Sequence, residues 1–167
     1  PEYQPTGEEI AVFKTPKGEI KVKLAGKDAP IHVGNFVELV NNGFYDGLKF
    51  HRLEPGFVIQ GGCPYSAEFS SEDIKNHKMG TEICGTGGPG YTIKEEFSVN
   101  PNNSHEDGAL AMARSQSPNS AGSQFYFCLG DQHFLDPNYT VFGQTIEGKD
   151  VISKLELGDE IIGIEIQ

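Results

Sequence analysis

The sequence predicts a mainly β fold: a closed eight-stranded antiparallel barrel capped by two α-helices. Three observations predict it. Apolar and polar residues alternate with a period of two in a series of short runs punctuated by Gly, Pro and Asn, as half-buried strands do. Only two segments carry a helical period, and they do not alternate with the strands in a βαβ rhythm, which leaves antiparallel neighbours. Such a set loses its exposed edges by closing on itself, and a barrel of that size is filled by its own side chains. With 167 residues a single domain is the simplest organisation, with an N-terminal arm over 1–8 and the folded domain over 9–167.

The elements follow in order. Ile10–Lys14 and Ile20–Leu24 flank Thr15-Pro16-Lys17-Gly18 and predict a hairpin whose second strand alternates cleanly. Asp28 is placed to cap a helix with Pro30 in its first turn, and Val33, Phe36, Val37 and Val40 form one apolar stripe. Asn41-Asn42-Gly43 ends it. His32, near the helix start, reads as a solvated polar residue. Residues 48–61 then predict two strands around Pro55-Gly56, with Val58 and Gln60 on one face and Ile59 on the other. Strands resume at Ala109–Ala113, Gln124–Leu129 and Thr140–Ile146. A short helix at about Lys149–Leu155 and a last strand at Ile162–Ile166 close the chain. Ile59, Leu110, Met112, Phe125 and Phe127 are large enough to fill the interior, so a binding site belongs on the outside. Gln124 and Tyr126 share that outer face with Cys128, a small packing residue.

The formal charge of −11 repels phosphate backbones and anionic membranes, so neither nucleic acid nor membrane is an expected partner. No apolar run approaches the length of a bilayer span, and no basic start with an apolar core marks a signal peptide. Three cysteines are too few for a disulfide framework, and a cytoplasmic monomer is the default expectation. The run Gly85-Thr86-Gly87-Gly88-Pro89-Gly90 lacks the Gly-Lys-Ser/Thr ending of a phosphate loop.

Two stretches stand apart from this frame. One runs from Phe50-His51-Arg52 through Pro55-Gly56-Phe57 to Gln60-Gly61-Gly62; the other is Ala113-Arg114 followed by Pro118-Asn119-Ser120-Ala121-Gly122-Ser123-Gln124-Phe125. With Val141-Phe142-Gly143 they resemble, in order and over about residues 9–166, the cyclophilins, the peptidyl-prolyl cis/trans isomerases inhibited by cyclosporin. The resemblance implies that Arg52 is the principal catalytic residue, assisted by Phe57 and Gln60. It implies that Phe57, Val58, Tyr126 and Leu135 hold a proline ring. Ala113 and Arg114 would meet the peptide backbone, Phe134 and Tyr139 would stand at the rim, and His51 and Gln124 would complete the substrate contacts. His51 and His105 recur in the family's motifs; hydrogen bonding suits them, because the reaction moves no proton. Partners would be proline-containing peptides and unfolded or folding proteins; neither a cofactor nor a metal is required.

The chain departs from the family's best-known members in four pocket positions. Phe134 stands where they carry Trp, so cyclosporin binding is expected to be weakened; Tyr139 replaces a His, Tyr126 a Phe and Val58 a Met. Its loop over 63–84 is also expanded, with Cys63 and Cys84 at the two ends. A disulfide there would contribute about 3 kcal/mol through loop entropy. A metal site with His77 would lack ligands, and free thiols are what a cytoplasmic setting favours. Two other functional classes compete with the isomerase: a peptide-binding module with little turnover, and a lipocalin-like ligand barrel, which the large inward side chains disfavour.

Overall fold

The computed structural model describes residues 2–76, 84 and 87–167. One antiparallel sheet carries all eight predicted strands: β1 (Ile10–Thr15), β2 (Gly18–Leu24), β3 (Arg52–Glu54), β4 (Val58–Gly61), β5 (Ala109–Met112), β6 (Phe125–Cys128), β7 (Val141–Glu147) and β8 (Gly163–Ile166). Their order is β3-β4-β6-β5-β7-β2-β1-β8. Among the described residues the named helices are α1 (Pro30–Asn41), α2 (Ser71–Lys75) and α3 (Lys149–Lys154), with 3₁₀ turns at Pro64–Glu68 and His133–Leu135.

The expected closed barrel is corrected to a curled sheet whose end strands, β3 and β8, do not pair with each other. Register shifts where β2 meets β7 and where β5 meets β7 increase the coiling. With only three residues, β3 is too short to complete the ladder. Beside the gap, segments 47–50 and 158–161 exchange backbone hydrogen bonds, Phe50 N to the Asp159 carbonyl at 2.9 Å and Ile161 N to the Leu48 carbonyl at 2.7 Å. A short edge strand beside a covering segment protects the edge without closure.

The concave face is the core. Phe13, Phe36, Phe125, Phe127 and Phe142 are fully buried and meet mostly edge-on or tilted, with ring centroids 5.2 Å apart for Phe13–Phe127 and 5.3 Å for Phe36–Phe142. Helix α1 supplies Phe36 from its predicted stripe, and Val33, Val37 and Val40 are buried with it. The helix is not capped by Asp28. Ala29 occupies the cap position without a side-chain bond, and the first amides are satisfied from far along the chain. Glu96 accepts from Ile31 N at 3.1 Å and from His32 N at 2.7 Å. The same carboxylate accepts from His32 Nδ1 at 2.7 Å. His32 is therefore a buried partner of Glu96 and not a solvated residue.

Ahead of β1, Tyr3 packs against the core. Its hydroxyl donates to Glu9, which also accepts from Thr6 N and Gly7 N. Burial works against the Glu9 carboxylate, but these bonds outweigh it and bring the pKa to about 2. Beyond β4, Cys63 and Cys84 are joined in a disulfide. They pack with Ile74 of α2, Phe69 and Leu157 in a cluster separate from the main core. The alternative metal site relied on His77, which lies outside the described residues; among those residues no cluster of metal-ligating side chains is found. No described helix is long and apolar enough to cross a membrane.

Candidate active site

Strand pairing assembles the site on the convex face. Arg52 lies opposite Gln60, Gln60 opposite Tyr126, and Tyr126 opposite Ala111, so four strands present one continuous row. The intervening row, Leu53–Ile59–Phe127–Leu110, faces the core. The outer row borders a groove of about 1110 Å³ lined by His51, Arg52, Phe57, Val58, Gln60, Ala113, Arg114, Gln124, Tyr126, Leu135 and Tyr139, among others. Sequence reasoning had singled out all of these. Within the groove Val58 and Tyr126 pack with Ala109 and Ala111, whose small side chains leave room above the sheet, and Phe57, Leu135 and Tyr139 close the sides.

Phe134 stands outside that lining. It is two-thirds exposed and stacks on Phe57 with ring centroids 5.6 Å apart. The Arg114 guanidinium is engaged within its own loop. Its Nε donates to the Asn138 carbonyl at 2.7 Å, Nη1 donates to the Ser115 and Gln116 carbonyls, and the group lies 4.7 Å from the Tyr139 ring centre. The Ala113 amide is already bonded to the Gln124 carbonyl at 2.9 Å, so a peptide would have to use other backbone atoms there.

Arg52 is the exposed cation of the groove. Its Nη1 donates to Gln60 Oε1 at 3.3 Å, and its Nε lies 3.8 Å from Glu54 Oε1. Gln60 Nε2 donates to Gln124 Oε1 at 2.9 Å, and Gln124 Nε2 donates in turn to the carbonyls of Cys84 and Gly87. Both ends of the Gln124 amide are thus occupied within the protein, and the residue acts as a strut. His51, beside Arg52, is held neutral: burial lowers its pKa to about 4, and the Arg52 charge adds to this.

The Tyr126 hydroxyl is bonded to His105 Nε2 at 2.9 Å, and His105 Nδ1 meets Asp136 Oδ1 at 2.7 Å. With Nδ1–H donating to the carboxylate, Nε2 is the acceptor and the tyrosine donates. Burial raises the Tyr126 pKa and lowers that of His105. Both groups stay neutral at ordinary pH.

The groove also includes residues the sequence had not singled out. Tyr65 and Tyr91, both nearly half exposed, line it beside Gly87, Gly88 and Gly90. The Tyr91 hydroxyl donates to Asn35 Oδ1, and Asn35 Nδ2 donates to the Gly122 carbonyl at 2.8 Å. A tyrosine directly after the Gly run was the visible signal for Tyr91. Tyr65 belongs to the expanded loop and had none.

The model of the cyclophilin type peptidyl-prolyl cis-trans isomerase family matches residues 10–162. A peptidyl-prolyl cis-trans isomerase of Helicobacter pylori is 46% identical over 153 residues, covering 90% of this chain and 82% of the relative. One from Synechococcus elongatus is 43% identical and covers 93% and 94%. Among solved structures, a Cryptosporidium parvum cyclophilin-type isomerase crystallised in the presence of the dipeptide Ala-Pro superimposes with a TM-score of 0.76. It is 26% identical, with 95% of this chain and 98% of that one covered.

Proposed function

The chain belongs to the cyclophilin-type peptidyl-prolyl cis-trans isomerases, and from that premise we propose that Arg52 accelerates X-Pro rotation by donating a hydrogen bond to the proline nitrogen as the amide twists. The observation that carries this reading is the exposed Arg52 guanidinium at the mouth of an apolar pocket, with a neutral amide oxygen as its side-chain hydrogen-bond acceptor.

Resonance gives the peptide bond a rotation barrier of about 18–20 kcal/mol. For X-Pro the cis and trans forms differ by only about 0.5–1 kcal/mol, so the enzyme needs no energy input, only a lower barrier. At the twisted state the proline nitrogen regains its lone pair and becomes an acceptor. A guanidinium carries five donors and is always charged, so it serves that state better than either planar form. Differential binding of this kind is what lowers a barrier. Val58, Phe57, Tyr126 and Leu135 hold the ring while the N-terminal side of the peptide rotates. Gln60 holds the guanidinium through its amide oxygen.

The substrates are proline-containing peptides and folding chains, in keeping with the Ala-Pro dipeptide used with the Cryptosporidium relative. Phe134 offers no indole N–H to a cyclic peptide inhibitor, so cyclosporin binds weakly. The test is NMR exchange on an Ala-Pro peptide. Arg52→Ala is expected to lower kcat/KM by about 10²–10³, the loss typical of one electrostatic donor, with the fold unchanged. Wild-type turnover in Arg52→Ala would refute the arginine reading.

A further inference from the structure

Arg52, Gln60, Gln124 and two loop carbonyls form one hydrogen-bonded line across the outer face. A primary amide has one acceptor end and one donor end, so each amide in the line fixes the orientation of the next. Gln124 offers its oxygen to Gln60 while its NH₂ has carbonyl partners at Cys84 and Gly87. Gln60 offers its oxygen to Arg52 while its own NH₂ points at Gln124. If Gln124 turned over, two NH₂ groups would face each other and Arg52 would lose its oriented acceptor. The line is therefore pinned at both ends, by the donor-only Arg52 guanidinium and by the carbonyls of residues 84 and 87.

The first of them belongs to a covalently tethered residue, and the Gly87 amide donates to that same carbonyl. Cys84 is bonded to Cys63, and Cys63 comes two residues after Gly61, the last residue of the strand that carries Gln60. The Cys63 sulfur also lies over Gly87, where a Cβ would come within 3.0 Å of it. At the junction Gly62 has φ +92, and any side chain there would run into the Ser123 carbonyl. The disulfide thus joins the start of the expanded loop to the backbone that orients Gln124.

We propose that the Cys63–Cys84 disulfide positions Arg52 through Gln124 and Gln60, so that the oxidised chain isomerises X-Pro bonds faster than the reduced chain. This rests on the Arg52 reading above. Reduction requires a dithiol. Its thiolate attacks one sulfur of the bond, its second thiolate displaces the mixed disulfide, two electrons pass to the protein, and Cys63 and Cys84 are left as thiols while the dithiol becomes a disulfide. Cys84 then loses its covalent tether, Gly87 loses the anchored neighbour it is bonded to, and Gln124 loses its fixed acceptors. In a reducing compartment the tether would be open, in an oxidising one closed.

The test uses the whole chain and NMR exchange on an Ala-Pro peptide, which a reductant does not disturb. Wild type, Gln124→Ala, Arg52→Ala and the double variant Cys63→Ser/Cys84→Ser are each measured before and after dithiothreitol. Thiol counting must show wild type going from one free thiol, Cys128, to three. Reduction is expected to lower wild-type kcat by about 3- to 10-fold, the worth of one lost hydrogen bond, with a smaller change in KM. The double variant should sit at the reduced level in both buffers. Oxidised Gln124→Ala should sit there too and ignore dithiothreitol, and the Arg52 Nε–H resonance should move on reduction in wild type but not in Gln124→Ala.

Reduced wild type that keeps its kcat overturns the proposal, as does a Gln124→Ala that responds to reduction as wild type does. If circular dichroism shows that reduction unfolds the chain, the oxidised Gln124→Ala decides alone: unchanged kcat and an unmoved Arg52 resonance overturn the proposal. Full activity in Arg52→Ala would instead bring down the arginine reading. An inactive Arg52→Ala beside a reduction-indifferent wild type would leave that reading standing and remove only the positioning role.

Discussion

Strand β6 presents two different regions within four residues. Phe125 and Phe127 face the core, Tyr126 and Cys128 lie on the outer side of the sheet, and all four are buried. Burial therefore does not separate them, but chemistry does. The inner pair is set among other rings, each of which touches several neighbours, so its contribution is collective and non-directional. On the outer side Cys128 packs with small apolar residues, but the polar groups of that face depend on few, specific partners: Tyr126 on His105, and Gln60 on Arg52 and Gln124. Losing one partner leaves the other unsatisfied, which is costlier than the bond itself was worth.

The largest effect that would test this division is on the inner face. Phe127→Ala should destabilise the protein by about 3–5 kcal/mol, from lost burial plus the cavity left behind, read as a shift of the urea midpoint. Turnover per folded molecule should be preserved, because the groove side of β6 keeps its residues. A loss below about 1 kcal/mol, the level of an ordinary substitution, would mean that the core face is not the rigid support described here.

Acid should act through titratable groups such as His51 on the outer face and Glu9 in the N-terminal arm, since the aromatic rings of the core carry no titratable charge. His51 has a folded-state pKa of about 4 against an unfolded value of about 6.5. The unfolded chain therefore takes up the proton first. Stability from this residue is complete above about pH 6.5, falls as the pH drops toward 4, and levels off below that, a total of about 3 kcal/mol. The Glu9 contribution is lost lower, as the pH falls from 4.5 to about 2. Urea midpoints of wild type and His51→Gln across pH 4–7 check the assignment: the variant should slope less than wild type between 6.5 and 4.5, the slope that remains coming from His105, whose pKa burial also lowers. Equal slopes would place the acid sensitivity elsewhere. Between pH 6.5 and 8 turnover should not vary, because His51 remains neutral beside Arg52.

The same division explains what could be read from the sequence. Strand alternation is a local signal, and it correctly separated Ile59, Phe125 and Phe127 from Val58, Gln60 and Tyr126 without reference to any partner. Long-range polar partners leave no such trace. Nothing near Pro30 indicated that Glu96 would cap α1 and bury His32, so the local candidate, Asp28, was preferred; in the structure Asp28 accepts from Asn102 Nδ2 instead. Closure was inferred from strand count, but whether the ends meet depends on the length of β3 and on the loops beside it. The cysteines could be weighed only by expected compartment, whereas their pairing depends on how the loop returns to β4. Gln124 was expected to contact substrate, and the two carbonyls that occupy its NH₂ come from that same loop.

The finest probe of the outer face removes a single oxygen. In Tyr126→Phe the ring still floors the groove, so kcat/KM should change by no more than about twofold. His105 Nε2, however, loses its donor in a buried site, which should cost about 1 kcal/mol in the urea midpoint. The direction of a second change follows from the tautomer. The hydroxyl donates to neutral imidazole and so favours the neutral form, adding to the burial that already lowers the His105 pKa. Without it, protonation becomes easier, with Asp136 still in place to receive the charge. NMR titration should show the His105 pKa rising in Tyr126→Phe. An unmoved titration together with an unmoved midpoint would mean that the hydroxyl does not donate to His105, and that the outer face tolerates loss of a partner as readily as the inner face tolerates loss of a single contact.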